Sequence, residues 1–150
     1  MNQKHSPCPW RKYMDIHSKV LKKFGINKEY IVEVVIEHAY HTLDLEVTIT
    51  TYNQRQVTIN IHKDVAISGD VKRPWAETSS YTYHARDGRT GLPIIRYCSP
   101  DRNDGKTHRS FHHKHTYDDY GENKKHSPKI IPGQEWPHVD EFLKEVFEEL

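Results

Sequence analysis

Apolar residues recur along this chain in two rhythms, one of three to four residues at either end and one of two residues between them. From Trp10 to Phe24 the apolar residues are Trp10, Tyr13, Met14, Ile16, Val20, Leu21 and Phe24, whose steps of three and four fit one face of a helix. Lys12, Lys19, Lys22 and Lys23 fall largely on the other face. Gly25 supplies a stop, and the late lysines suit the negative end of the helix dipole. At the far end, Val139, Phe142, Leu143, Val146, Phe147 and Leu150 form a second helical stripe across Pro137 to Leu150.

Between the helices the period falls to two. Tyr30, Val32, Val34 and Ile36 alternate within Glu29 to Tyr40, with Ile31 and Val35 opposite. Leu43, Leu45, Val47 and Ile49 alternate with Asp44, Glu46, Thr48 and Thr50. Their β-branched content favours strand over helix. Asn53-Gln54 makes a turn into Gln56 to Lys63, where Val57, Ile59 and Ile61 point inward. Gly69 to Thr78, which holds Pro74-Trp75, reads as a loop. Ser79 to Arg86 is a strand with Tyr81 and Tyr83 on one face and His84 on the other. Asp87-Gly88 and Gly91 turn it into the returning strand Leu92 to Tyr97. Ser99 to Lys106 and Gly121 to Gln134 read as loops, with a short strand or ordered loop at Ser110 to Tyr117. The pattern predicts an α+β fold: an antiparallel β-sheet meander of about five or six strands, flanked by an N-terminal and a C-terminal helix. Residues 1–9 read as a flexible N-terminal arm and residues 10–150 as a single domain.

Composition narrows the class. Only 35% of residues are hydrophobic and the formal charge is +1, so overall charge does not announce a nucleic-acid binder. The charge is nevertheless uneven, basic near the start and acidic at the end. No stretch approaches a membrane span or a secretory leader. Two cysteines, Cys8 and Cys98, lie far apart and outside any CxxC pattern, which points to a reducing cytoplasm and no disulfide framework. Cys98 has no base beside it in sequence, so a nucleophile reading is weak.

Twelve histidines are the strongest anomaly. His5, His17, His38, His41, His62, His126 and His138 read as surface residues at segment ends or in basic stretches. Trp10, Trp75 and Trp136 read as packing anchors, although a loop tryptophan such as Trp75 could stack on a base. The stretch from His108 to His115 differs: it packs four His, one Arg and one Lys into eight residues. On a strand His113 and His115 share one face, and His112 points with Lys114. Three readings follow. His113 and His115 form an H-x-H chelate for zinc or manganese, with Asp118, Asp119 or His84 as third ligand. Alternatively His113, His115, His112 and Lys114 cleave RNA by metal-free acid–base chemistry, while Arg96, Arg109 and Tyr83 hold the phosphate. The third reading is a solvated basic loop without chemistry.

The stretch YTYHARDGRTGLPIIRYCSPDRNDGKTHRSFHHKHTYDDYGE resembles the TumE-type toxin family of prokaryotic toxin–antitoxin modules. The matching positions are Tyr81, Tyr83, Arg96, Tyr97, His112, His113, Lys114 and His115. Cys98 stands where that pattern has Asp, and Phe111 where it has Pro. The resemblance covers the last third to half of the chain. It implies a cytoplasmic toxin held in check by a small antitoxin, with RNA as target.

The expected function is therefore a toxin of a toxin–antitoxin or defence module acting as an endoribonuclease without a cofactor. The alternatives are a non-enzymatic nucleic-acid or ligand-binding module of a defence complex and a metal-dependent nuclease. Expected partners are RNA and a cognate antitoxin protein, with a homodimer as an alternative to a monomer and no membrane.

Overall fold

A computed structural model of the chain describes residues 5–26, 29–39, 41–100, 112–117 and 129–150. Strand β1 (Cys8–Pro9) leads directly into helix α1 (Trp10–Gly25). The strands β2 (Ile31–Ala39), β3 (Thr42–Thr50), β4 (Gln56–Asp70), β5 (Arg73–Asp87), β6 (Pro93–Cys98), β7 (His112–Thr116) and β8 (Lys129–Ile131) follow, and α2 (Val139–Glu148) closes the chain. From β2 to β8 the strands lie side by side in chain order and every pairing is antiparallel. β1 adds to the edge of β5 through Cys8 opposite Ala76 and Pro9 opposite Trp75, making eight strands among the described residues. The α+β meander with a helix at each end is thus the fold; the sheet is wider than its sequence pattern suggests. No helix among the described residues is long and apolar enough to cross a membrane.

The period-two pattern gives the sheet one apolar and one polar face. Leu43, Leu45, Val47 and Ile49 of β3 pack beside Val57, Ile59 and Ile61 of β4, all buried, and α1 and α2 cover that face. Leu21 of α1 and Phe142, Leu143 and Val146 of α2 complete the core. Burying each such side chain stabilises the fold by about 1.5–3 kcal/mol, which is why the polar outer residues can be spared for other work.

Three readings need correction. Gly69 to Thr78 is not a loop: β4 runs on to Asp70 and β5 begins at Arg73, forming one long hairpin. The register shifts between Asp64 and Val65, so Ser79 is the extra residue of a bulge. The bulge restores inward parity beyond it, setting Ala76 and Thr78 on the same face as Tyr81. Near the turn Gly69 adopts φ +82, a conformation that L side chains rarely take. Residues 5–9, read as part of a flexible arm, are likewise tied down. Cys8 and Pro9 pair with β5, and the His5 ring stacks on Trp136 with centroids 3.2 Å apart. Within the stretch read as the loop Gly121 to Gln134, residues 129–131 are strand β8.

Candidate functional site

β7 divides the histidine run between the two sheet faces. His112 and Lys114 look toward the helices. The Tyr81 hydroxyl and His112 Nδ1 are hydrogen-bonded at 3.0 Å, and the His112 ring stacks against Trp136 with centroids 5.6 Å apart. Lys114 Nζ lies 2.6 Å from Glu145 Oε1 of α2, and the Tyr97 hydroxyl donates to Glu145 Oε2 at 2.8 Å. Tyr83, expected to touch phosphate, belongs to this face as well. It is fully buried among the rings of Tyr81, Tyr97 and Phe142, where no substrate reaches it. The spacing rule for a strand is the cause: Tyr83 opposes Tyr97, and Tyr97 opposes Lys114, so all three share one side.

His113 and His115 take the other face, opposite α1 and α2. Their rings meet edge to face at 4.9 Å. Register puts a row of polar side chains across four strands there: Asn60 opposite His84, His84 opposite Arg96, and Arg96 opposite His115. One step along the strands, Thr82 opposes Cys98 and Cys98 opposes His113. Arg96 is solvent-exposed, and burial raises the Tyr117 pKa against an opposing pull from the Arg96 guanidinium. His115 is half-buried, and His113 is buried at 4% exposure. Arg109, Asp118 and Asp119 lie outside the described residues, and His84, the other candidate third ligand, stands two strands away from His115 across Arg96. Among the described residues no group of three His, Cys, Asp or Glu side chains is arranged to hold a metal ion.

This face is electrically split. On its β3–β4 side His62 donates to Asp44 Oδ1 at 2.6 Å and to Asp64 Oδ1 at 3.1 Å, and its pKa is raised chiefly by the bond to Asp44. On the β5–β7 side, Arg86 and Arg96 accompany His84, His113 and His115. Arg86 Nη2 donates to Asn60 Oδ1 at 2.7 Å, tying that arginine down. Burial lowers the His84 pKa to about 4, helped by the positive charges of Arg86 and Arg96. Its Nε2 is buried with no hydrogen-bond partner among the described residues, an acceptor or donor held in reserve.

A second constellation lies under the helices, where none was expected. Lys63 continues the inward series Val57, Ile59, Ile61 and is 1% exposed. Its Nζ donates to Nε2 of His17 at 2.9 Å, and Nδ1–H of His17 donates to the Tyr13 carbonyl at 2.8 Å. His17 and His138, both read as surface residues, instead pack against each other with ring centroids 5.2 Å apart. Burial drives His17 down to about 2 and His138 to about 4, with the nearby lysine charge adding to both. Sequence carried a signal for this cluster: a lysine on the apolar parity of β4, and a histidine four residues from Tyr13 and from Leu21 on the apolar face of α1.

No protein-family model matches the chain, and neither does any curated protein or solved structure.

Proposed function

We propose that the chain is an RNA-directed toxin of a toxin–antitoxin or defence module, and that it cleaves RNA on the sheet face opposite α1 and α2. The observation that carries this reading is the cross-strand row in which His84 and His115 stand on either side of Arg96. In-line cleavage by the 2′-hydroxyl places the attacking and leaving oxygens on opposite sides of phosphorus. A base and an acid are therefore needed on opposite sides of the phosphate, with a cation between them. Two strand spacings separate His84 from His115, roughly 10 Å, which leaves room for one phosphodiester over Arg96.

The roles divide by environment. His84 is neutral at pH 7 and takes the 2′-hydroxyl proton. A bound phosphate offsets Arg86 and Arg96 and brings its pKa up toward working pH, where a base is most effective. His115 gives its proton to the leaving 5′-oxygen. Arg96, the exposed member, grips the phosphate oxygens. His113 packs against the His115 ring and fixes its angle. Lys114 and His112, on the other face, hold the sheet to α2 and Trp136.

The test is cleavage of a defined RNA by the purified chain, beside growth of cells expressing it. His84→Ala and His115→Ala should each slow cleavage by about 10²–10⁴-fold. Cleavage that survives the double variant overturns the reading. Activity lost to EDTA and restored by zinc or manganese would favour the chelate at His113 and His115 instead. Binding without any turnover would favour a binding module.

A further inference from the structure

Lys63 occupies a position that the strand pattern reserves for an apolar side chain, and it forms no ion pair with a carboxylate among the described residues. Its Nζ is ringed instead by Tyr83, Trp136 and Tyr13, whose centroids lie 5.7, 5.8 and 6.0 Å away. One N–H goes to His17. Burying a charged ammonium in this way costs several kcal/mol unless the proton is shed. Burial accordingly lowers the amine to about 7, against a weaker opposing pull from Asp140. A large fraction of the amine is thus uncharged, with a lone pair, at neutral pH.

This amine lines a cavity of about 430 Å³ between α1, β1, β5 and the start of α2. Cys8, Tyr13, His17, Thr78 and His138 share its wall. The size is that of a small-molecule site. Glu77, Asp140 and Glu141 also line it, against one further cation, Lys12. His17 and His138 add no charge at neutral pH. The surround is therefore net acidic and repels anions, while an uncharged ligand enters without that penalty.

We propose that this cavity is a second site, which binds a small uncharged aldehyde or ketone and condenses it with the Lys63 amine. The Nζ lone pair attacks the carbonyl carbon and a proton passes from nitrogen to the carbonyl oxygen. The resulting carbinolamine expels that oxygen as water and leaves a C=N bond. One amine and one carbonyl give one imine and one water, with no oxidant or reductant. His17 Nε2 positions the amine through its hydrogen bond, and its own Nδ1–H is committed to Tyr13, which sets the tautomer. The site lies on the opposite side of the sheet from His84, Arg96 and His115, so it stands or falls independently of RNA cleavage.

The test uses benzaldehyde as probe, with cyanoborohydride to reduce any imine, on the intact folded chain at pH 7, followed by peptide mapping. Lys63 should carry at least about tenfold more label than any exposed lysine, because exposed amines are almost wholly protonated there. Urea should erase the preference. Label spread over Lys12, Lys19 and Lys22 with Lys63 unmodified or no more modified than they are overturns the proposal. The mapping needs only the wild-type chain, so it stays decisive even where Lys63→Met fails to fold. Where that variant folds, it should lose the dominant adduct, and retaining it would also overturn the proposal.

Discussion

Lys63 Nζ sits 2.9 Å from Nε2 of His17, an amine and an imidazole facing each other under two helices. Both are bases whose protonated forms the surroundings disfavour. The pair therefore links folding to pH at two separate points.

On the alkaline side the lysine governs. Its folded pKa of about 7 lies below the unfolded value, so between about 7 and 10.5 the unfolded chain binds a proton that the folded chain does not. Stability should rise with pH across that window, by at most about 1.4 kcal/mol per pH unit for one proton. The groups facing Nζ are His17 and Tyr13 of α1, Tyr83 of β5, and His138 and Asp140 at the start of α2. Tyr13, raised to about 12, and Tyr83, raised further by burial, act oppositely only near and above pH 10. Urea midpoints from pH 7 to 9.5 should climb in the wild type and stay flat in Lys63→Met. A flat wild-type curve would show that the amine is not desolvated as described.

On the acid side His17, His138 and His84 all have lowered pKa values, the first to about 2 and the others to about 4. Each contributes stability that is whole above about 6.5 and is lost as pH falls through the window down to its folded value. His62 has the opposite sign, because Asp44 raises it, but it is well exposed and its effect is small. The chain should therefore unfold at lower urea at pH 5 than at pH 7, and His138→Asn should shrink the difference. Equal midpoints at the two pH values would contradict the burial of these imidazoles.

Glu145 ties α2 to the sheet by meeting Lys114 at 2.6 Å and Tyr97 at 2.8 Å. Glu145→Ala leaves a partly buried ammonium and a hydroxyl without their acceptor, so it should cost about 1–3 kcal/mol. Tyr97→Phe should cost less, since it removes donor and demand together. Chemical denaturation orders the variants, and a larger loss for Tyr97→Phe than for Glu145→Ala would refute this role of Glu145.

Arg96 and Lys114 are both basic and oppose neighbouring residues across β6 and β7, yet they face opposite ways. If RNA lies on the face opposite the helices, Arg96→Gln should weaken binding and reduce the salt slope of log affinity by about one. Lys114→Gln should leave the slope unchanged. A salt titration of RNA binding by fluorescence anisotropy separates them, and a slope that falls only with Lys114→Gln would move the interface to the helix side.

The two periodicities made the architecture legible before any coordinates. The alternation of Leu43 to Ile49 and Val57 to Ile61 fixed which residues face the helices, and it also separated His113 and His115 from Lys114. The segment from Gly69 to Thr78 stayed hidden because Pro74 resembles a breaker and the bulge at Ser79 interrupts the period. Register across strands is a long-range property. Nothing local says that His84, Arg96 and His115 line up, since they come from three strands. The Lys63 cluster was missed for another reason. A lysine or histidine is ordinarily read as surface, and only its parity within an apolar series reveals that it has been taken inside.

The contact between His5 and Trp136 spans 131 positions, whereas the hairpins of β2 to β6 join neighbours in the chain. Short loops close quickly, so the sheet can register while later parts of the chain are still on the ribosome. The ceiling over Lys63 cannot. Until Trp136 and His138 are synthesised, that amine has Tyr13 and Tyr83 beside it but not Trp136, on an apolar surface that α2 has yet to cover. Loss of its proton therefore waits for α2, and it marks the moment at which the segments that carry His5 and Trp136 have met.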